Sequence, residues 1–255
     1  EINKDVLTNS KLKFVGLVAK GTDNISVSEC KKHKVSVFYT PDANLTSVAE
    51  HVFTLILGLS KNLFNLDKSV RDDEFDKFRL STMDIKDKTL GIIGAGPISK
   101  EVIKRAKAFD MNILCYTPHP KKHQDLDVKF VSLEKLLRNS DFVSINIPLT
   151  EKTTNFISTK ELSLMKTTSY LINTSRGKIV NEKALIDALN NTLIAGAGID
   201  VYEEEPTHNK ELFKLKNAIL TPHVGGVSKE ALERMEEHLI TDILSFLDKK
   251  ETKYK

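Results

Sequence analysis

Three polar side chains late in the sequence, Arg176, Glu205 and His223, are of the types that perform acid–base chemistry on a carbonyl compound. An arginine can bind a carboxylate through two parallel hydrogen bonds. A histidine paired with a carboxylate retains a proton that a carbonyl oxygen can receive. Taken singly, Arg176 could be a surface arginine, Glu205 part of a solvated acidic turn, and His223 a satisfied loop histidine. Because each follows an apolar run, together they indicate an acid–base site with an anion-binding arginine.

A glycine turn in the middle of the sequence predicts nucleotide binding. Leu90–Ser99 has the pattern of a strand, a turn and the start of a helix. Gly94 permits the tight turn, and Gly96 lets the backbone approach a pyrophosphate at the positive end of the helix. Pro97 suits the first helical position, where its missing N–H is not needed. Ser99 replaces the third glycine of the fingerprint, but it is small enough for close helix–strand packing. The context favours a nucleotide site over a purely structural turn.

The acidic residue that binds the ribose of NAD is expected roughly 20 residues after the glycine turn, and it is missing. The predicted strand Asn112–Tyr116 ends at Thr117, and a basic loop of residues 118–123 follows. NAD therefore loses its usual ribose acceptor, whereas the 2′-phosphate of NADP would be tolerated. Since the loop could equally be an ordinary solvated basic loop, the sequence leaves NAD and NADP both open.

The elements that must position these residues alternate between strand and helix. The predicted strands are Phe14–Ala19, Val35–Tyr39, Thr89–Ile93, Asn112–Tyr116, Phe142–Asn146, Ser169–Asn173, Ile194–Ile199 and Ala218–Leu220. The predicted helices are Val48–Leu66, Ile98–Phe109, Leu133–Arg138, Thr159–Met165, Glu182–Leu189 and Lys229–Leu247. The alternation and the continuously apolar strands predict an α/β protein with a doubly wound parallel sheet. The charged segment Asp67–Lys88 is interpreted as a solvated connection.

Composition excludes several other classes of function. The 255 residues carry 38 basic and 35 acidic side chains, a net charge of +3 that argues against nucleic acid as a partner. Cys30 and Cys115 lack metal-ligand spacing, so we expect no metal and reduced thiols in a cytoplasmic protein. Glu1–Ser10 has no apolar core of a signal peptide. Glu50, His51 and Lys61 interrupt the apolar stretch Leu45–Leu63, so no membrane segment is expected.

In order along the chain, these motifs resemble the D-isomer-specific 2-hydroxyacid dehydrogenases, the family that includes phosphoglycerate, glyoxylate/hydroxypyruvate and D-lactate dehydrogenases. The resemblance covers nearly the whole chain, and the ordered co-occurrence of the motifs is far more specific than any one of them. The segments that carry it are residues 20–24, 40–44, 47–50, 91–96, 148–150, 173–177, 200–202, 205–206 and 221–226.

The resemblance implies a domain organisation. Residues 46–224 would form a Rossmann-like NAD(P)-binding domain that includes the linking helix. Residues 1–45 and 225–255 would form a smaller, flavodoxin-like substrate domain. That domain is expected to be N-terminally incomplete, because family members have further strand–helix units before the position of Phe14. Together with the apolar faces of Val48–Leu66, the resemblance implies a homodimer; the alternative is that this helix is fully buried within one subunit.

The resemblance also implies roles for individual residues. Arg176 would bind the carboxylate and carbonyl oxygen of the substrate, His223 would be the general acid/base, and Glu205 would orient it. Asp200 would contact the carboxamide of the nicotinamide. The implied cofactor-binding residues are Gly94, Gly96, Pro97, Ile98, Thr117, Pro148, Thr174, Ser175, Asp200, Gly225 and Gly226. The implied substrate-binding residues are Lys20, Gly21, Asn44 and Arg176.

These features lead to one main functional hypothesis and two alternatives. The main hypothesis is an oxidoreductase that transfers a hydride between NAD or NADP and C2 of a small 2-hydroxy or 2-oxo acid of D configuration. The first alternative is a dehydrogenase of phosphite or another oxyanion, with Lys20 pairing with the anion, although a lone lysine is usually solvated. The second is a non-catalytic, dinucleotide-sensing interaction module, as in the corepressor branch of the family.

Overall fold

The computed structural model describes residues 1–8, 10–18, 21, 24–75 and 81–248. The chain divides into two compact units. The smaller unit comprises Glu1–Ser47 and Gly226–Lys255, and the larger unit comprises Val48–Gly225.

The described residues form strands and α-helices, which are numbered separately in chain order. The strands are β1 (Phe14–Leu17), β2 (Ser36–Tyr39), β3 (Thr89–Ile93), β4 (Asn112–Tyr116), β5 (Lys129–Phe130), β6 (Phe142–Ile145), β7 (Tyr170–Asn173), β8 (Gly196–Ile199) and β9 (Ala218–Leu220). The α-helices are α1 (Lys4–Thr8), α2 (Val27–Lys32), α3 (Leu45–Ser60), α4 (Leu63–Arg71), α5 (Pro97–Ala108), α6 (Leu133–Asn139), α7 (Thr159–Ser163), α8 (Glu182–Asn190), α9 (Lys210–Phe213) and α10 (Lys229–Leu247).

The larger unit contains a parallel sheet whose described strands lie in the order β5-β4-β3-β6-β7-β8-β9. The chain winds outwards from β3 to β5 and then returns to place β6 on the other side of β3. The strand order therefore reverses between β3 and β6, and the carboxyl ends of strands at such a reversal are where open α/β sheets bind ligands. This arrangement confirms the predicted doubly wound α/β class.

Apolar side chains cover both faces of this sheet. Successive residues of β7 point to opposite faces, so that Leu171 packs in a cluster with α6 and α8 while Ile172 packs in a cluster with α3 and α5. A strand buried on both faces has no polar face to alternate with, which explains the continuous apolar runs in the sequence.

One predicted helix is wrong in detail. The chain from Val48 to Leu66 is two helices, because α3 ends at Ser60 and Asn62 adopts a left-handed conformation with φ of 51°. The charged segment after it is also more ordered than a simple connection, since α4 continues to Arg71. Residues 76–80 of that segment lie outside the described part of the chain.

The smaller unit is built around the parallel pair β1–β2, with Phe14 opposite Ser36. Helix α10 packs against it, because the rings of Phe14, Phe38 and Phe246 meet edge to face with centroids 5.3–6.2 Å apart. The Ser47 and Ser228 hydroxyls are 2.8 Å apart and form a hydrogen bond within the same unit.

Candidate active site

His223 and Glu205 form a hydrogen-bonded pair beyond the carboxyl ends of β8 and β9. The imidazole Nδ1 lies 2.6 Å from Glu205 Oε2, and Glu205 Oε1 accepts the backbone N–H of Tyr202 at 3.0 Å. Because Nδ1 faces a carboxylate, it carries a hydrogen, which leaves Nε2 as the nitrogen that can exchange a proton with a substrate. The side chain of His223 is 44% exposed, so a small molecule can reach it.

The backbone around His223 is held in an unusual conformation. His223 has a φ of 53°, in the left-handed region that non-glycine residues seldom adopt. Its N–H donates to the carbonyl oxygens of Asp200 at 2.8 Å and of Thr221 at 3.1 Å. These bonds compensate for the unfavourable conformation. They fix the position of the His223 backbone and therefore the point from which its imidazole extends.

Asp200, which directly follows β8, holds the segment 221–225 that carries His223 through hydrogen bonds. Its carboxylate is 1% exposed, and it accepts the Thr221 hydroxyl at 2.6 Å and the backbone N–H groups of Val224 at 2.9 Å and Gly225 at 2.8 Å. His51 Nε2 lies 3.3 Å from the same carboxylate. Burial alone would raise the pKa of Asp200, but these hydrogen bonds outweigh it and lower the pKa. Asp200 is therefore a buried anion stabilised by donors of the chain itself.

Tyr202 also forms a hydrogen bond to the segment 221–225. The sequence alone did not predict a role for this residue. Its hydroxyl donates to the Thr221 carbonyl oxygen at 2.9 Å. Burial, reinforced by the negative charges of Asp200 and Glu205, raises the pKa of Tyr202 to about 12. The phenol therefore remains a hydrogen-bond donor throughout the physiological pH range.

Arg176 lies in a loop that its neighbours shape closely. The Asn173 side chain donates to the Arg176 carbonyl at 3.0 Å and accepts the Ser175 N–H at 3.1 Å. A Cβ on Gly177 would overlap the Tyr202 carbonyl oxygen, so only glycine lets the loop after β7 lie against the loop after β8. The half-buried Arg176 guanidinium donates through Nη1 to the Ser175 carbonyl at 2.7 Å. Like Tyr202, Asn173 was not identified as a site residue from the sequence.

The glycine turn after β3 has the features that a dinucleotide pyrophosphate requires. Gly94 has a φ of 107°, and a Cβ there would overlap the Asn146 carbonyl oxygen. A Cβ on Gly96 would meet no heavy atom of the described chain within 4 Å, so the backbone before α5 faces open space. Pro97 is the first residue of α5, and buried Ser99 donates its hydroxyl to the Gly94 carbonyl at 2.9 Å. The residues present fit a phosphate group at this helix N-terminus.

The end of β4 is neutral or basic. The Thr117 hydroxyl accepts the His119 N–H at 3.3 Å, and Lys121 and Lys122 are exposed. Lys100, which follows the glycine turn, pairs with Asp125 at 2.6 Å. At this point of the sheet the chain thus presents a hydroxyl where a ribose-binding carboxylate was expected.

The remaining implied site residues fall in different parts of the chain. Ile98, Pro148, Thr174, Ser175 and Gly225 all lie in the larger unit, at or just beyond the carboxyl ends of its strands. Gly21, Asn44 and Gly226 belong to the smaller unit. There the Asn44 amide lies against the Cα of Gly226, and Asn44 Oδ1 is buried without a hydrogen-bond partner among the described residues. Lys20 lies outside the described residues.

The described residues also bear on metal and membrane binding. In this part of the chain no three His, Cys, Asp or Glu side chains gather into a group that could hold a metal ion. No described helix combines the length and apolar character needed to cross a bilayer. Both cysteines are buried, and burial raises the pKa of Cys115 to about 11, so this thiol is unsuited to nucleophilic chemistry.

Sequence and structural similarities extend over nearly the whole chain. Residues 53–225 match the family model "D-isomer specific 2-hydroxyacid dehydrogenase, NAD binding domain". The chain is 41% identical to the glyoxylate reductase of Thermococcus litoralis over an alignment that covers 96% of this chain and 77% of the relative.

Two solved structures extend the similarity to three dimensions. D-lactate dehydrogenase from Aquifex aeolicus, complexed with NAD and lactic acid, is 32% identical with a TM-score of 0.88, over 97% of this chain and 80% of that chain. An acyclic imino acid reductase in complex with NADPH and D-Arg is 31% identical with a TM-score of 0.91, over 100% of this chain and 82% of that chain.

Proposed function

Because this chain belongs to the D-isomer-specific 2-hydroxyacid dehydrogenase family, we propose that it transfers a hydride between a nicotinamide cofactor and C2 of a small 2-oxo or 2-hydroxy acid. The observation that carries the proposal is the His223–Glu205 pair, with an Nδ1–Oε2 distance of 2.6 Å and an accessible imidazole. When bound, the nicotinamide supplies or accepts the hydride. The chain itself must bind the acid, orient it and move one proton.

Proton transfer falls to His223. In the reducing direction, protonated Nε2 donates to the substrate's carbonyl oxygen as that oxygen gains negative charge. Glu205 holds Nδ1–H, so the ring keeps one orientation and its positive form is stabilised before the reaction. In the oxidising direction the neutral imidazole takes the hydroxyl proton of the 2-hydroxy acid.

Binding of the acid falls to Arg176. Its planar guanidinium matches the carboxylate and carbonyl oxygens of a 2-oxo acid in a way that a lysine ammonium cannot. The Asn173 side chain holds the backbone of Ser175 and Arg176 through two hydrogen bonds, so the Arg176 side chain extends from a defined position. We further propose Lys20, Gly21 and Asn44 of the smaller unit as substrate-binding residues and the larger unit as the NAD(P)-binding domain.

The cofactor would be held along the carboxyl edge of the sheet. Gly94, Gly96, Pro97 and Ile98 at the start of α5 would bind the pyrophosphate. Thr174 and Ser175 are proposed to border the nicotinamide, and Asp200 to contact its carboxamide. Pro148, Gly225 and Gly226 are further proposed cofactor-binding residues. The open backbone at Gly96 and the position of the strand ends support this proposal.

An absorbance assay tests the proposal. The purified chain is mixed with NADH or NADPH and a panel of 2-oxo acids that includes glyoxylate and pyruvate, the acids suggested by the relatives. Consumption of the reduced cofactor supports the dehydrogenase. Tight cofactor binding without turnover of any acid would instead support the dinucleotide-sensing module. A parallel oxidation assay with phosphite examines the oxyanion alternative.

Cofactor preference can be predicted from the end of β4. Because Thr117 brings no negative charge near a 2′-phosphate, we expect NADPH to be used within about tenfold of NADH in kcat/KM. Thr117→Asp should shift the preference toward NADH, since the carboxylate accepts a ribose hydroxyl and repels the phosphate. The ratio of kcat/KM for the two cofactors measures this, and strong NADH selectivity of the unmodified chain would contradict it.

The apolar surface that we propose for homodimer formation lies on α4 rather than α3. The apolar side chains of α3, such as Val52 and Ile56, are buried inside the larger unit, so they do not require a second subunit. Leu63, Phe64 and Val70 of α4 are exposed, and Phe64 keeps 61% of its area in contact with solvent. Such a cluster is costly to leave in water and fits a second copy of the chain.

Light scattering at micromolar concentration should therefore give the mass of a dimer. Phe64→Glu should produce a monomer, whereas Asn65→Glu, which adds the same charge at a neighbouring polar residue about 100° around the helix, should leave the dimer intact. A monomeric unmodified chain would contradict the proposal.

A further inference from the structure

His51 is a polar side chain within the otherwise apolar helix α3, and the reaction described above does not use it. Its side chain is only 14% exposed. The ring Nε2 lies 3.0 Å from the Thr221 hydroxyl oxygen and 3.3 Å from Asp200 Oδ1. A buried imidazole directed at a hydroxyl and a carboxylate needs a physical explanation, because burial of an unpaired polar group is costly.

The hydrogen positions in this cluster follow from the distances. The Thr221 hydroxyl donates to Asp200 Oδ1 at 2.6 Å, so only its lone pairs are left for His51. Since the carboxylate oxygen is also an acceptor, Nε2 must carry a hydrogen and share it between the two oxygens. A bare Nε2 would place its lone pair against an anionic oxygen. His51 is therefore a donor to the cluster.

The cluster of His51, Thr221 and Asp200 determines the position of the segment 221–225. Asp200 anchors the Val224 and Gly225 amides, and its carbonyl oxygen accepts the His223 N–H. The His51 ring also packs on this segment, because a Cβ on Gly225 would lie 3.2 Å from His51 Cδ2 and 2.9 Å from Asp200 Oδ2. His51 thus contacts both the anchor and the backbone that the anchor holds.

We propose that His51 is a positioning residue for His223, acting through Asp200 and Thr221. The inference rests on the proposed function, in which His223 moves the proton. Without the His51 donor, Asp200 keeps its burial but loses one of the hydrogen bonds that offset it. The carboxylate would then turn or attract water, and the segment that fixes the left-handed conformation of His223 would loosen.

The test uses substitutions that separate the donor from the bulk of the ring. His51→Gln places an amide N–H near the position of Nε2, whereas the amide of His51→Asn is too short to reach it. His51→Leu preserves size and removes the donor. Thr54→Ala is the matched control, because it removes a hydrogen bond to Glu50 from the exposed side of the same helix.

Two measurements apply to all four variants. The first is steady-state reduction of the best 2-oxo acid. We expect kcat to fall at least about tenfold in His51→Asn and His51→Leu, with KM for the cofactor changed little, and to recover to within about twofold in His51→Gln. The second is amide hydrogen exchange. Exchange at Val224 and Gly225 should accelerate in His51→Asn and His51→Leu but not in His51→Gln or Thr54→Ala.

The results distinguish this inference from the function on which it rests. Equal kcat in His51→Gln and His51→Asn, or unchanged exchange at Val224 and Gly225 in His51→Asn, would overturn the positioning role. If His51→Leu does not fold, the Gln and Asn pair still decides the question. If the unmodified chain reduces no 2-oxo acid, the proposed function fails, and the exchange comparison still shows whether His51 holds the segment.

Discussion

Replacing His223 with glutamine is expected to lower kcat for 2-oxo acid reduction by about a hundredfold or more. Glutamine has a similar size, but its amide cannot act as an acid at neutral pH. The fold and the cofactor affinity should be retained, because the segment is anchored through Asp200 and backbone groups. Steady-state kinetics and cofactor binding by fluorescence measure the two effects separately.

Glu205→Gln gives the companion result. The substitution preserves shape but removes the carboxylate oxygen 2.6 Å from Nδ1. The ring then loses the anion that orients it, so kcat/KM for reduction should fall by about tenfold or more while cofactor affinity changes little. Glu204→Gln, at an exposed neighbouring carboxylate, is the control. Near-normal turnover of Glu205→Gln would mean that Glu205 is only part of a solvated acidic turn.

The second large effect is expected at Arg176. Arg176→Lys keeps the charge but loses the planar pair of donors, so kcat/KM for a 2-oxo acid should fall by about a hundredfold. Thermal unfolding should change little, because Asn173 holds this loop through its backbone. Lys178→Arg, at an exposed neighbour, is the matched control and should be neutral. Unchanged kinetics in Arg176→Lys would remove this residue from the site.

Much of the larger unit could be predicted because its signals are local. Strands such as Thr89–Ile93 and Asn112–Tyr116 are apolar runs with the bounds that the structure shows. A residue that follows such a run must lie at the carboxyl edge of a parallel sheet, which located Arg176 and His223 without knowledge of the packing. The break at Asn62 was missed, because helical periodicity does not reveal a single left-handed residue.

The residues that support the His223–Glu205 pair could not be predicted in the same way. Tyr202 and Asn173 form hydrogen bonds to backbone carbonyl oxygens. Since every residue has such a carbonyl, the residue types in the sequence do not reveal which one is the acceptor. His51 contacts residues far away in the sequence. In the sequence it was noticed only as an interruption of an apolar stretch. The one available signal was a histidine among the apolar positions of a helix, which indicates that a hydrogen-bond acceptor, here Asp200 and Thr221, lies against that helix.

The spacing of the strand ends has a consequence for how this protein can change. Thr117 follows β4 on one side of β3, whereas Arg176, Glu205 and His223 follow β7, β8 and β9 on the other side. Under the proposed function, cofactor choice and proton transfer are therefore assigned to separate groups of residues, on opposite sides of β3. Substitutions in separate groups tend to act additively. Evolution or engineering can thus retune the choice of cofactor while leaving the acid–base machinery intact.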